Sequence, residues 1–233
     1  MARKVTTVGF DADDTLWHNE RYFQLTQAHF ADLLSDYTEK DTLMQRLVAA
    51  EKRNLGQYGF GVKGFTLSMI ETALDVTDRR VSGAVIEEIL NAGREMLAHP
   101  VDLLPHAQAA VEEAAKDYRI LLITKGDLLD QERKLAQSGL GDLFDAVEIV
   151  SDKNTSVYRD IFDRHGHSAD SGVMVGNSVR SDILPMIEAG GFGVHVPYHV
   201  TWELEHAETP VTHDRFRSLP DLSTLGTLLA GLQ

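Results

Sequence analysis

Short apolar segments rich in β-branched residues alternate with helical patterns along most of the chain. Five such segments predict β-strands: Val5–Phe10, Arg119–Thr124, Ala146–Val150, Val173–Gly176 and Phe192–Val196. Several of them are apolar almost throughout, which is typical of strands covered on both faces. Helical patterns lie at about 105–117, 128–138, 155–165 and 182–189. This alternation predicts an α/β fold, in which a parallel sheet forms the middle of three layers.

The interval from about 18 to 98 contains no convincing strand pattern. Helical patterns occupy 20–34, 41–55, 65–74 and 83–99, and the glycine-punctuated link GQYGFGVKGF separates the second from the third. We interpret this interval as an all-α insertion over 17–98, with the α/β core formed by 1–16 and 99–233. The tail SLPDLSTLGTLLAGL predicts a loop without a strand, followed by a short helix.

The net charge and the absence of cysteine argue against several classes of function. The chain has 233 residues, a formal net charge of −14 and no cysteine. The acidic balance argues against nucleic-acid binding and against attachment to an anionic membrane surface. The absence of cysteine excludes disulfides and thiolate chemistry. No signal peptide or membrane-spanning stretch is evident, so we expect a soluble cytoplasmic protein, either a monomer or a homodimer.

Polar residues follow the apolar run of four of the predicted strands. These residues are Asp11, Thr124, 151–153 and 176–178. Ligands of open parallel sheets bind at the carboxyl ends of the strands. The pattern therefore predicts one site that contains carboxylates, a hydroxyl, a lysine and glycine turns.

The first of these strand ends carries three aspartates in VGFDADDTLW. Such a cluster is often only a turn, because Asp favours turns and helix starts. Packed together, the carboxylates repel one another unless a cation lies among them. An aspartate can attack phosphorus, a second carboxyl can transfer protons, and a hydroxyl with a lysine can hold phosphoryl oxygens. Asp11, Asp13, Thr124 and Lys153 supply these four groups.

The same residues resemble the motifs of the haloacid dehalogenase-like (HAD) hydrolase superfamily. Asp11-Ala-Asp13-Asp-Thr15 matches its DxDxT motif, Thr124 its second-motif hydroxyl residue, and Lys153 its third-motif lysine. The stretch from Gly176 to Asp182 is similar to the acidic fourth motif. The resemblance covers essentially the whole chain, and it implies a Rossmann-like core with a C1-type helical cap.

The resemblance also implies roles for individual residues. Asp11 would be the nucleophile and a ligand of Mg²⁺, and Asp13 the general acid and base, with its backbone carbonyl on the metal. Thr124 and Lys153 would hold the phosphate. Asn177 and Asp182 would complete the metal site. Within the family, the carboxyl of Asp13 favours phosphatases, because dehalogenases lack a carboxyl at this position.

Two positions depart from the family pattern. Asn177 stands where the fourth motif usually has aspartate, which predicts weaker Mg²⁺ binding. Lys125 stands where asparagine often follows the hydroxyl residue, and it either contacts the substrate or points to solvent. Lys63, in the glycine-rich link, is a further candidate for substrate binding. A zinc site at His195, His199, Glu203 and His206 is a much weaker hypothesis, because no single helical face presents these residues.

We predict a Mg²⁺-dependent phosphatase of a small phosphorylated metabolite, acting through an aspartyl-phosphate. A phosphomutase and a degenerate, non-catalytic phosphate-binding member are the alternatives. A phospho-accepting receiver domain fits poorly, since the acidic cluster lies wholly after the first strand and a long helical insertion follows it. The pattern does not identify the substrate.

Overall fold

The computed structural model describes residues 4–232. Within this range six strands form one sheet, in which all neighbours are parallel and the order is β3-β2-β1-β4-β5-β6. The strands are β1 (Thr7–Phe10), β2 (Arg119–Lys125), β3 (Ala146–Val150), β4 (Gly172–Gly176), β5 (Phe192–His195) and β6 (Phe216–Ser218). The order reverses between β1 and β4, and this switch point opens a crevice at the carboxyl ends of the strands.

The predicted α/β fold is confirmed, with one omission. Each of the five predicted strands overlaps an observed one, but β6 was not predicted. It has three residues, pairs with Gly193–His195 at the sheet edge and includes Arg217 and Ser218. So short and polar a strand leaves no apolar pattern. The predicted loop at the tail therefore begins one residue too early, whereas the predicted short helix is present.

Helices cover both faces of the sheet, because successive strand residues point to opposite sides. Ile120 and Leu122 of β2 belong to one apolar cluster, together with residues of the helices Ala107–Ala114 and Leu225–Gly231. Leu121 and Ile123 belong to another, with residues of the helices Thr155–His165 and Leu184–Ala189. The helices of the chain are α1 (Glu20–Leu33), α2 (Lys40–Tyr58), α3 (Val62–Val76), α4 (Gly83–Ala98), α5 (Ala107–Ala114), α6 (Leu128–Ser138), α7 (Thr155–His165), α8 (Leu184–Ala189) and α9 (Leu225–Gly231).

The chain divides into two compact units. The α/β unit comprises the described residues up to Asn19, Val101–Lys125 and the residues from Gln131 onwards. The helical unit comprises Glu20–Pro100 and Gly126–Asp130. Sequence patterning places the insertion at 17–98, without the short segment that follows Lys125.

The helical unit has its own apolar core. Phe30, Leu43, Leu47, Phe65 and Met69 are buried there, contributed by α1, α2 and α3. Ile89 and Met96 add the apolar face of α4, and Ser82 caps that helix by accepting a hydrogen bond from the Val85 N–H. Among residues 4–232, no helix combines the length and hydropathy needed to cross a membrane.

Candidate active site

The loop after β1 sends its three aspartates in different directions. Asp11 follows the strand directly, and its N–H donates to the Val175 carbonyl at 2.9 Å. The chain then turns, and Asp14 adopts a left-handed conformation with φ of 62°, which Asp tolerates better than most residues. Asp14 Oδ1 accepts a hydrogen bond from the Asn19 N–H at 2.8 Å. Asp14 therefore stabilises the turn, while Asp11 and Asp13 each have partners of their own.

Asp11, Lys153 and Asp182 form a buried ionic centre. Lys153 Nζ lies 2.5 Å from Asp11 Oδ1 and 2.7 Å from Asp182 Oδ1. The Lys153 and Asp182 side chains are each only 1% exposed. Buried charges persist only when they are paired, and here one ammonium serves two carboxylates. When Asp11 is ionised, the centre therefore carries one uncompensated negative charge.

The pKa values of Asp11 and Lys153 reflect the presence of two carboxylates beside one ammonium. Burial and the nearby Asp182 together raise the pKa of the Asp11 carboxyl to about 7, against the opposing effect of Lys153. For Lys153, burial alone lowers the pKa of the ammonium, but the Asp11 and Asp182 carboxylates raise it above its ordinary value. Lys153 is therefore positively charged. A further positive charge beside Asp11 would lower the pKa of its carboxyl and favour the ionised form.

Asp182 owes its place to the turn that follows β4. Its Oδ2 accepts a hydrogen bond from the Ser178 N–H at 3.0 Å, and residues Val179–Ile183 form a π-helical turn. A Cβ at Gly176 would lie 2.3 Å from Asp182 Oδ2. Only glycine therefore leaves room for this carboxylate beneath the end of the strand. Single π-helical turns of this kind are often found at functional sites.

Thr15 brings the oxygens of Asp11 and Asn177 together across the switch point. Its Oγ1 donates to Asp11 Oδ2 at 3.0 Å, lies 3.3 Å from Asn177 Oδ1 and accepts from the Asn177 N–H at 3.0 Å. Two hard oxygen atoms thus flank one hydroxyl, at the edge of a centre in which two carboxylates share one ammonium. This donor chemistry fits a divalent cation such as Mg²⁺.

Asp13 lies in a different and more open environment. Its Oδ1 accepts from Trp17 Nε1 at 2.7 Å, and its Oδ2 accepts from Gln131 Nε2 at 2.8 Å. Lys134 Nζ reaches both oxygens, at 2.9 and 3.0 Å, and also Asn19 Oδ1 at 2.9 Å. We call Trp17, Gln131 and Lys134 the Asp13 clamp. The Asp13 side chain remains 22% exposed, so it keeps access to solvent.

Lys125 makes an ion pair. Its Nζ donates to Glu205 Oε1, and also to Ser181 Oγ at 2.8 Å. The other Glu205 oxygen accepts from Ser178 Oγ at 2.6 Å and Ser181 Oγ at 2.5 Å. Burial raises the pKa of Glu205, but Lys125 and the two serine hydroxyls outweigh it and leave that pKa below its ordinary value. Next to Lys125, Thr124 is buried near the end of β2.

Lys63 lies on α3 of the helical unit. Its Nζ contacts the Asp127 carboxylate at 2.9 and 3.0 Å. Burial raises the pKa of Asp127, but Lys63 and the backbone N–H groups of Asp130 and Leu129 lower it below its ordinary value. Lys63 is half exposed.

The histidine-rich segment after β5 forms no metal site. Among residues 4–232, no group of three or more His, Asp or Glu side chains is placed to hold a metal. His195 Nε2 instead lies 3.0 Å from the Asn177 carbonyl. The proposed magnesium set has a different composition: the side chains of Asp11, Asp182 and Asn177 with the backbone carbonyl of Asp13.

Sequence reasoning missed Gln131, Lys134 and Glu205. Gln131 and Lys134 are three residues apart on α6, so they share a helix face, and this spacing just after Thr124 was the available signal. Both residues are buried, at 4% and 9% exposure. Glu205 lies 80 residues from its partner Lys125, and no local pattern connects the two.

A family model for haloacid dehalogenase-like hydrolases matches residues 5–190. The chain therefore belongs to the haloacid dehalogenase-like hydrolase family. A family hydrolase from Xanthomonas campestris has a similar crystal structure, with a TM-score of 0.88, 41% sequence identity, and coverage of 98% of this chain and 91% of that one.

Two further relatives have established chemistry of different kinds. A glyceraldehyde 3-phosphate phosphatase from Methanothermobacter thermautotrophicus strain Delta H is 24% identical over 219 residues, which cover 86% of this chain and 90% of the relative. L-2-haloacid dehalogenase from Xanthobacter autotrophicus shares the fold, with a TM-score of 0.65 and 16% identity over 98% of this chain and all of that one. The family includes both activities, so the site residues must distinguish between them.

Proposed function

We propose that this hydrolase is a Mg²⁺-dependent phosphatase that acts on a small phosphorylated metabolite through an aspartyl-phosphate on Asp11. The observation that carries this proposal is the separation of the two motif carboxylates. Asp11 is buried against Lys153, whereas Asp13 is partly exposed and held by three donors. A nucleophile and a separate proton carrier are the two carboxylates that phosphoryl transfer through an acyl phosphate requires.

Asp11, Asp182, Asn177 Oδ1 and the Asp13 carbonyl would hold the Mg²⁺. The ion supplies positive charge that offsets repulsion between the Asp11 carboxylate and the phosphate dianion. The raised pKa of Asp11 supports a cation at this place, because added positive charge would favour the nucleophilic carboxylate. Lys153 already binds one oxygen of Asp11 and leaves the other, Oδ2, on the side of Thr15 and Asn177.

In the first half of the reaction, an Asp11 oxygen attacks phosphorus. A bond forms between this oxygen and phosphorus, the bond from phosphorus to the ester oxygen breaks, and the leaving oxygen takes its proton from Asp13. Thr124 and Lys153 hold the phosphoryl oxygens as their charge shifts. In the second half, water attacks the same phosphorus, Asp11 leaves as a carboxylate, and Asp13 takes the proton of the water.

The relatives support a phosphatase over a dehalogenase. The glyceraldehyde 3-phosphate phosphatase matches this chain along most of its length, whereas the likeness to the haloacid dehalogenase is one of fold. A small phosphorylated metabolite is therefore the substrate class we propose. Asp13 supports the same choice, since departure of a halide requires no proton donor.

Phosphate release from a panel of phosphorylated metabolites, with Mg²⁺ and with EDTA, tests this proposal. 4-Nitrophenyl phosphate is included as a generic substrate. We expect phosphate release with Mg²⁺ and none with EDTA. Chloride release from 2-chloropropionate in place of phosphate release would instead indicate a dehalogenase. Phosphate exchange between positions of one sugar phosphate, without net release, would indicate the phosphomutase. Inactivity on every compound would leave the non-catalytic alternative.

A further inference from the structure

The Asp13 clamp satisfies both oxygens of one carboxylate with donors from two parts of the chain. Oδ1 accepts from Trp17 and Lys134, and Oδ2 accepts from Gln131 and Lys134. Each of the three donors is buried, with Trp17 at 1% exposure. A buried lysine is rare unless it is paired, and here the Lys134 ammonium contacts both oxygens of Asp13. Hydrogen bonds between charged groups are short and strong, and they fix orientation.

This arrangement suits one of the two steps assigned to Asp13 better than the other. A carboxylate that accepts at both oxygens is ready to take a proton from water. A protonated carboxyl carries a hydrogen on one oxygen and needs an acceptor for it. Every contact that the clamp makes with Asp13 is a donated hydrogen bond, so this hydrogen would face a donor. The clamp therefore favours the form of Asp13 that acts as a base in the second half of the reaction.

We propose that Lys134 and Gln131 are positioning residues that hold Asp13 for hydrolysis of the aspartyl-phosphate. The inference rests on the proposed phosphatase function and assigns to this pair the second half of that reaction. In this step the oxygen of water bonds to phosphorus, and the bond from phosphorus to Asp11 breaks with its electron pair returning to the Asp11 carboxylate. One proton of the water moves to the oxygen of Asp13 that the clamp has oriented.

The kinetics of a two-step covalent mechanism make the inference testable. With 4-nitrophenyl phosphate the leaving group needs little help from an acid, so the first half runs without Asp13 in its protonated form. Slowing only the second half lowers kcat and KM by the same factor and leaves kcat/KM unchanged, because kcat/KM reports the steps through phosphorylation. The phosphorylated enzyme then accumulates during turnover.

Lys134→Met and Gln131→Met are the test variants, and Arg133→Met is the matched control. Arg133 is on the same helix, but its guanidinium binds Gln137. We expect the test variants to lower kcat and KM together, by about 10- to 100-fold, which is less than the roughly 10²- to 10⁴-fold that the proton carrier itself contributes. Acid-quenched samples taken during turnover should contain a larger phosphorylated fraction than the parent enzyme. The control should match the parent in both readouts.

The KM and the phosphorylated fraction both distinguish a positioning role of the variant residue from a loss of folded protein. A smaller folded fraction lowers the apparent kcat but changes neither KM nor the phosphorylated share of active enzyme. Gln131→Met removes no charge, so it carries the test if Lys134→Met does not fold. A fall in kcat/KM at constant KM, or an unchanged phosphorylated fraction, would overturn the inference and leave the phosphatase function intact. A parent enzyme that released no phosphate from any ester would overturn both.

Discussion

Asp11 and Asp13 are two residues apart, yet they occupy contrasting environments. Asp11 is buried beside one lysine that also neutralises Asp182, and burial raises its pKa to about 7. Asp13 is partly exposed, and three side chains donate to it, among them a lysine that also donates to the neutral Asn19. Asp11 therefore shares its lysine with a second carboxylate, whereas Asp13 has a lysine and two neutral donors.

Under the proposed function, this contrast lets one loop provide two chemistries from one residue type. Environment sets the role of a carboxylate more than its identity does. A nucleophile benefits from an anionic site that attracts a metal ion, because the ion also draws in the phosphate. A proton carrier benefits from fixed orientation and contact with water. The predictions below test each side of this comparison, beginning with the largest effect.

The largest effect should come from removing the nucleophile. Asp11→Asn should lower kcat for 4-nitrophenyl phosphate by at least about 10⁴-fold, because an amide does not form the acyl phosphate. Asp14→Asn is the matched control: the same substitution in the same loop, at a left-handed position that Asn also tolerates. Near-parent turnover by Asp11→Asn, with phosphate release measured directly, would contradict the assignment of Asp11.

The metal side of the comparison is tested by the Mg²⁺ midpoint of hydrolysis. Asn177→Ala should raise the Mg²⁺ concentration required for activity. Asp182→Ala should raise it further, by about 10- to 100-fold, because that change removes a charge. Asn177→Asp should lower the midpoint, unless repulsion from Asp11 and Asp182 offsets the added charge. If none of the three variants moves the midpoint, the turn after β4 does not hold the metal.

A smaller effect on stability should distinguish the Lys125–Glu205 pair from surface ion pairs. A double-mutant cycle with Lys125→Met and Glu205→Gln should give a coupling free energy of unfolding of about 1 to 3 kcal/mol near neutral pH. Arg46 and Asp75 form an exposed pair at 2.6 Å, and the equivalent cycle there should give less than about 1 kcal/mol. Equal couplings for the two pairs would contradict a special role for Glu205.

The same cycle has a defined pH dependence. The pKa of folded Glu205 lies below its ordinary value of 4.5, so folding favours its ionised form. The stabilisation is therefore fully present above about pH 4.5, and it is lost as the pH falls through the lowered pKa. Denaturant unfolding at several pH values should show the coupling shrinking towards zero under acidic conditions. A coupling independent of pH would mean that the pair is held by packing instead of charge.

Much of this site follows from local sequence, because the carboxyl ends of parallel strands share one edge. Asp11, Thr124, Lys153 and Asp182 are each near a strand end that apolar patterning marks, and the structure brings Asp11, Lys153 and Asp182 into contact. Contacts that depend on tertiary packing could not be predicted from local sequence. The spacing of Gln131 and Lys134 places them on one face of α6, but it does not indicate that this face meets Asp13. Lys125 meets Glu205 because a distant turn lies beside the end of β2 and the two serines that follow β4.

Trapping the covalent intermediate tests the central claim most directly. Asp13→Asn retains the nucleophile but lacks the base, so the phosphorylated enzyme should persist after mixing with 4-nitrophenyl phosphate and Mg²⁺. Mass spectrometry of acid-quenched, digested protein should place one phosphoryl group on the peptide that contains Asp11, and the Asp11→Asn enzyme should show none. Phosphate release by the parent enzyme with no phosphorylated Asp11 in either protein, or with the phosphoryl group on another residue, would contradict the account.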